Sequence, residues 1–552
     1  ARATAPRRLM AADLILTNGV VHTVDAARSV GEAVAVADGR ILAVGSAGAM
    51  AELAGPGTRI VDVEGGMVLP GFQDAHCHLA LSGYEQTLCD LFESRSAEEH
   101  LRRIAEYARA HPDRDWVLGG GWSMSDFPGG IPTREQLDAV VADRPAALTN
   151  RDGHGSWANT RALELAGIGR DTPDPAGGRI ERDEQGEPVG MLQEQAMWLV
   201  LSLAPEPDAD QRAAGVLGAQ EYYHRLGITA CQDAEVKPAY QEAYERLARA
   251  GELTLRVRAN LGWEPSGDDS QLDELLERRL SGTVERLNCG NVKFFHDGVV
   301  ENRTAAMLDP YLDAAGSPTD EYGIDQYRLA DLGRHVARCD AAGFGIHIHA
   351  IGDRAVRESL DVLEQAAAAN GRRDSRHQLA HVQFAHRDDI PRFRKLGVIA
   401  NVTPLWARLE EYVRDLTLPF ISPEAGAMMY PFGSILRAGG SLAFGSDWSV
   451  STPDPLHQLA SAVTRADPES GNDEPLLPDE RIDLGSAIAA QTIGAAHASF
   501  LDATTGSIEP GKLADLVVLD RDLFGLPPAG YLEARVRLTL SAGDTVYAAP
   551  GW

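Results

Sequence analysis

Cysteine is scarce in this chain of 552 residues: Cys77, Cys89, Cys231, Cys289 and Cys339 are the whole complement. No two of them form a C-x-x-C pair. Neither a disulfide framework nor a structural zinc knuckle is expected, and a reducing compartment, the cytoplasm, suits the chain. Long apolar runs are missing as well. The longest, AMWLVLSLA at 196–204, falls far short of the roughly 18 residues that spanning a bilayer needs. Positive charge is in deficit: 51 Lys and Arg stand against 81 Asp and Glu, a formal charge of −30. Nucleic acid and anionic membranes are recognised by basic patches, so neither is an expected partner. There is no internal repeat and no low-complexity tract. The opening ARATAPRRLM is basic but lacks the apolar run of a signal peptide, and a frayed terminus is expected there.

What is present is a hydrophobic fraction of 44%, ordinary for a soluble globular protein. The length suits one large domain with smaller additions. Residues 12–66 read as short strands, with an Asn-Gly turn in DLILTNGVVHTVD and a hairpin signal, Asp-Gly between two apolar runs, in AVAVADGRILAVG. GSIEPGKLADLVVLD and RVRLTLSAGDTVYA, within 505–552, have the same texture. The two ends are expected to pack together as one small β-sandwich domain. Between them, apolar runs alternate with amphipathic helical stretches, which predicts a parallel sheet of βαβ units. Eight runs stand out: 67–76, 227–233, 254–261, 291–295, 344–350, 377–381, 398–404 and 441–447. Residues 67–504 therefore read as a (β/α)8 barrel. The interval from the first run to the second is too long for one crossover, so 80–215 reads as an insertion over the barrel mouth.

The polar residues at the C-terminal ends of these runs carry the chemistry, because that end of a (β/α)8 barrel holds the active site. His76 and His78 form an H-x-H; on a strand both would share one face, about 6.6 Å apart, able to chelate one ion. Lys293 sits in the apolar run VKFF, where an ammonium is costly unless paired or neutralised; Asp297 is a nearby candidate partner. His349 and His381 end the fifth and sixth runs. His347 shares a face with His349 and is the alternative there. Asp447 ends the eighth run, where a carboxylate can bind metal, accept a proton, or do both. Trp122, Trp406 and Trp448 are candidates for an apolar pocket.

The segments VLPGFQDAHCHL, GGGW, RDGH, VKFFHDGVVENRTAAML, HAIGDRAV, LAHVQ, GSDW and GSIEPGKLADLVVLD, in this order, resemble the amidohydrolase superfamily. Within it they are similar to the amidohydrolase-3 group, which includes YtcJ-like proteins and N-substituted formamide deformylases. The resemblance spans about residues 15–520. It implies a (β/α)8 TIM barrel with a β-sandwich built from both chain ends. It also implies that His76, His78 and Asp447 bind one divalent ion, that His349 and His381 bind a second, and that Lys293, carboxylated by CO2, bridges them. Asp447 would be general base and acid; His154 in RDGH and Arg303 in ENRTAAM would stabilise an oxyanion. Deaminases of the superfamily carry a glutamate shortly after the strand-five histidine, whereas here His349 is followed by Ala350-Ile351-Gly352-Asp353.

The expected function is hydrolysis of an amide-type C–N bond in a small molecule, such as an N-substituted formamide or N-acyl amine, by metal-activated hydroxide. Zinc suits the ligand set and lowers the pKa of bound water to about 7. An esterase or lactonase would use the same centre, and a non-catalytic binding protein would keep only the fold. A homodimer is the commonest oligomer and is the assembly expected.

Overall fold

The computed structural model describes residues 11–92, 94–467 and 474–552; the basic opening stretch 1–10 lies outside them. Eight strands form one sheet in chain order: Phe72–Cys77, Ile228–Val236, Arg256–Gly262, Leu287–Phe295, Gly345–Ala350, Gln378–His381, Ile399–Val402 and Ser441–Phe444. Every neighbouring pair is parallel. The first and eighth strands meet just past their ends. Asp447 N–H donates to the His76 carbonyl at 2.7 Å, and His78 N–H to the Trp448 carbonyl at 2.8 Å. A parallel sheet closed in this way is a (β/α)8 barrel. Gly445 permits the closure: a Cβ there would lie 2.4 Å from His76 Cβ and 2.8 Å from His76 N.

Strand period 2 divides the side chains. On the fifth strand Ile346 and Ile348 join the apolar layer under the helices, while His347 and His349 turn into the barrel. The helices follow ordinary local rules. Pro238–Ala250 has proline in its first turn and ends at Gly251 with φ 74°, the left-handed stop that glycine favours. Leu329–Ala341 buries Leu332, His335, Val336 and Cys339, a helical spacing that lays one face on the sheet. Burying each such apolar side chain stabilises the fold by about 1.5–3 kcal/mol relative to exposure.

The chain ends build two further sheets. One, in spatial order, is Asp544–Ala548, Val536–Ser541, Leu516–Leu519, Met67–Pro70, Val20–His22 and Val30–Gly31. The other is Arg40–Gly45, Ala33–Ala37, Ala12–Thr17 and Ala54–Asp62. Leu14, Leu16, Val34 and Val36 meet Val68, Leu516, Val518 and Leu538 between them. Asp38 and Gly39, at φ 50° and 71°, make the hairpin turn that Asp-Gly favours. Asn18, at φ 61°, instead passes the chain from one sheet to the other. The run 67–76 is two strands, not one: Met67–Pro70 pairs with Leu516–Leu519 in the sandwich, and only Phe72–Cys77 enters the barrel.

Between the first and second barrel strands lies a six-stranded sheet running from Cys89–Asp90 to Pro188–Glu194. It has its own core around Trp122, Phe127 and Trp157. On either side of it, helices Leu79–Glu85 and Ala209–Arg225 return the chain to the barrel, packed so closely that a Cβ on Gly83 would touch the Gly215 carbonyl at 2.3 Å. Among the described residues no helix is long and apolar enough to cross a membrane.

Candidate metal centre

His76, Lys293, His349 and His381 lie at or near the C-terminal ends of barrel strands one, four, five and six. His78 falls just past its strand, at the start of helix Leu79–Glu85, and Asp447 lies in the loop after strand eight. Their side chains converge. His76 Nε2 and His78 Nε2 each stand 3.3 Å from Asp447 Oδ1. The His381 ring is 4.7 Å from that of His76 and 4.8 Å from that of His349, centroid to centroid. One donor atom each from His76, His381 and Asp447 lies within 4.8 Å of the others. His381 and Asp447 have φ of 71° and 55°; such conformations are uncommon without glycine and gather at functional sites.

Burial shapes the charges. It lowers His76, helped by Lys293, to about 3, and it also lowers His349 and His381. These rings are neutral at physiological pH, the state that ligates metal. Burial opposes the Asp447 carboxylate, yet the imidazoles of His76, His78 and His381 outweigh it and hold the acid well below the usual range. Lys293 is fully buried, stands over the Phe295 ring at 4.5 Å, and has no hydrogen-bond partner for Nζ. Burial lowers its amine to about 8.

A second layer orients these groups. Asp297 Oδ1 accepts from His349 Nδ1 at 3.1 Å and from the Ile351 N–H. It is thus engaged by the fifth strand rather than by Lys293. His381 Nδ1 is 3.3 Å from Thr403 Oγ1, and its ring stacks on Trp406 at 5.0 Å and 8°. Trp122 belongs to the core of the inserted sheet, and Trp448 packs on Tyr222 and Tyr223. Of the three tryptophans Trp406 stacks on a histidine ring of the centre, whereas Trp448 meets His78 through its backbone carbonyl.

His154 reaches the centre from a loop of the inserted sheet, its ring 5.3 Å from that of His349. Its Nδ1 lies 3.0 Å from Glu194 Oε2, and Glu194 Oε1 accepts from Thr304 Oγ1 at 2.7 Å. Asp152 accepts the His154 backbone N–H and the Tyr412 hydroxyl. Burial works against a charged His154, but Glu194, with Asp152 behind it, raises the imidazole to about 9. The Arg303 guanidinium stands 4.8 Å over Phe420 and 3.8 Å from Glu321, a partly exposed ion pair.

A profile of the Amidohydrolase family matches residues 59–547. The chain belongs to the amidohydrolase family. It is 34% identical to Protein LONG AFTER FAR-RED 3 of Arabidopsis thaliana, over 94% of this chain and 89% of that one. It is 30% identical to N-substituted formamide deformylase of Arthrobacter pascens, over 98% and 99%. Among solved structures, an uncharacterized metal-dependent hydrolase from Pyrococcus horikoshii superposes with a TM-score of 0.72 at 25% identity, covering 96% of this chain and 99% of that one.

Several residues around the site of this amidohydrolase were not singled out in the sequence, although Thr304 lies within VKFFHDGVVENRTAAML. Glu194, Thr304 and Tyr412 are distant in the chain from His154 and from one another, and only the seating of the inserted sheet on the barrel brings them together. His347 was visible as the partner of His349 in an H-x-H, but the contact that defines it, 2.8 Å from His347 Nε2 to His76 Nδ1, crosses the barrel.

Proposed function

We propose that this amidohydrolase cleaves an amide-type C–N bond, in an N-substituted formamide or N-acyl amine, at two divalent ions, zinc or similar. The observation that carries the reading is a buried set of groups whose polar atoms are not satisfied by hydrogen bonds. His76 Nε2 and Asp447 Oδ1 face each other at 3.3 Å without forming a hydrogen bond, and among the described residues Lys293 Nζ has no hydrogen-bond partner, although the three residues are at most 5% exposed. A buried polar atom without a partner costs about 1–3 kcal/mol, so a histidine nitrogen and a carboxylate oxygen that meet without a hydrogen bond fit a point reserved for a cation, and the lone lysine amine fits a group that is modified before use. Imidazole and carboxylate donors suit zinc. His76, His78 and Asp447 would hold one ion and His349 and His381 the other. The Lys293 amine would add to CO2 and lose a proton, giving an anionic carbamate with two oxygens to share between the ions. The lowered basicity of the amine and its lack of a partner support that assignment. When bound, the ions would polarise the substrate carbonyl and acidify the attacking water.

Asp447 faces this point with a carboxylate that stays ionised. It takes the proton from the water and returns it to the departing amine. His154, charged through Glu194, offers a cation to the oxyanion of the tetrahedral intermediate. The likeness to N-substituted formamide deformylase supports the choice of an amide. The five cysteines, all free and buried, support a reducing compartment, the cytoplasm. We take the working unit to be a homodimer.

Elemental analysis of protein purified without chelators, followed by a panel of matched amides and esters, tests the reading. About two ions per chain and cleavage of formamides or N-acyl amines are expected. One ion per chain would return Lys293 to an unmodified role. Turnover of the esters with inert amides would overturn the C–N assignment.

A further inference from the structure

Beneath the ligands, a chain of buried side chains runs from the base of the barrel to His76. Arg258, in the third strand, donates from Nη2 to Asn291 Oδ1 at 2.7 Å. Asn291 Nδ2 donates to Gln232 Oε1 at 2.8 Å. Gln232 Oε1 lies 3.2 Å from His347 Nδ1, and His347 Nε2 lies 2.8 Å from His76 Nδ1. Arg258 is 7% exposed and the other members at most 1%.

The lower end of this chain fixes the two amides and gives the histidines above them a direction. A guanidinium only donates, so the atom of Asn291 facing it is the oxygen and the amide nitrogen points up. That nitrogen requires the oxygen of Gln232. Gln378 agrees: its Nε2 donates to the Ala498 carbonyl at 2.9 Å, so its Oε1 is the acceptor for Gln232 Nε2 at 3.1 Å. Gln232 Oε1, which also accepts from Gln378 Nε2 at 3.2 Å, can only accept, so its contact with His347 is a hydrogen bond when the proton sits on His347 Nδ1. The bare Nε2 of His347 demands one on His76 Nδ1, which leaves the lone pair of His76 on Nε2, 3.3 Å from the Asp447 carboxylate, an arrangement that a cation between the two would satisfy. One neighbour completes the set. Asn260 Nδ2 lies 3.4 Å from His347 Nδ1, and Asn260 Oδ1 has no partner. Turning this amide over pairs its oxygen with the same proton.

We propose that Arg258, Asn291, Gln232 and His347 are positioning residues, a relay of fixed polarity that holds His76 in the one tautomer able to bind a cation through Nε2. The inference rests on the metal-centre reading for its purpose but not for its geometry. A ring that must choose its tautomer on binding binds more weakly, and loss of an outer partner of a ligating histidine typically lowers metal affinity by about 10–100-fold.

Two experiments test it on the full chain. Neutron diffraction from metal-free crystals exchanged into D2O should show deuterons on Nδ1 of both His347 and His76. A deuteron on Nε2 of either ring overturns the proposal, whatever any variant does. Zinc affinity, by competition with a chromophoric chelator, should fall about 10–100-fold in Gln232→Leu. It should stay near the wild-type value in Gln232→Glu, which keeps an acceptor for His347. A folded Gln232→Leu protein, by circular dichroism and melting, that binds zinc as the wild type does would also overturn it. Wild-type protein that binds no zinc but shows the expected deuterons would refute the metal-centre reading and leave the relay standing.

Discussion

Lys293→Met separates the needs of the site from those of the fold. Methionine keeps the length and much of the volume of lysine, so little packing is lost. In the metal-free, CO2-free wild type, burial lowers the amine from 10.5 to about 8, which corresponds to about 3 kcal/mol of lost stability wherever the unfolded lysine is fully charged. A base whose folded value is lowered destabilises the native state below that value and recovers as pH rises toward the unfolded one. Metal-free Lys293→Met should therefore be more stable than wild type by up to about 3 kcal/mol at pH 7, and the gap should close between about pH 8 and 10.5. Urea unfolding midpoints of both chelated proteins across that range measure it. The same variant should lose turnover and hold less metal per chain, because a thioether forms no carbamate. A variant no more stable than wild type at pH 7 would show that the buried amine is better accommodated than its missing partners indicate. Retained turnover would remove Lys293 from the centre.

Asp447→Asn should reduce kcat to background while circular dichroism and melting stay near wild type, because the amide keeps the size of the carboxylate but accepts no proton; residual turnover would reassign the base. His154→Phe should lower kcat about 10²–10³-fold, as removal of one oxyanion donor does elsewhere. Because Glu194 raises His154 to about 9, the rate should fall as pH climbs past that value, and Glu194→Gln should move the fall to lower pH; an unmoved profile would detach His154 from the reaction. His224, 3% exposed and bonded to the Ile228 carbonyl and Thr254, is lowered chiefly by burial to about 4. The unfolded histidine takes its proton near 6.5 while the folded one does not. Stability should thus drop by about 3 kcal/mol as pH falls from about 6.5 to 4; a wild-type stability flat over that range in urea unfolding would refute this.

The barrel was legible because a parallel strand buried on both faces leaves a nearly continuous apolar run, so the few polar residues at its end stand out. His76, His349, His381 and Asp447 were found in that way. The edges of elements were less legible. The apolar run at 67–76 continues without a break through two strands that join different sheets, and hydrophobicity does not record which partner a strand will take. Arg303 stood in a segment shared with the family, but its contacts with Glu321 and Phe420 were not marked there, since a long flexible side chain goes where its loop sends it. Trp122 and Trp448 went to cores, where large apolar rings gain most from burial.

What the sequence determined by itself is therefore local: the alternation of strand and helix, the hairpin at Asp38–Gly39, the candidate ligand types and their order along the chain. These follow from periodicity and turn chemistry, which act over a few residues. Tertiary structure decided which of those groups meet. Only closure of the barrel sets His76 beside Asp447 and His347 beneath His76, and only the seating of the inserted sheet gives His154 its Glu194. Those contacts join residues far apart in the chain, and their geometry is set by the summed packing of many intervening side chains rather than by any signal carried at either end.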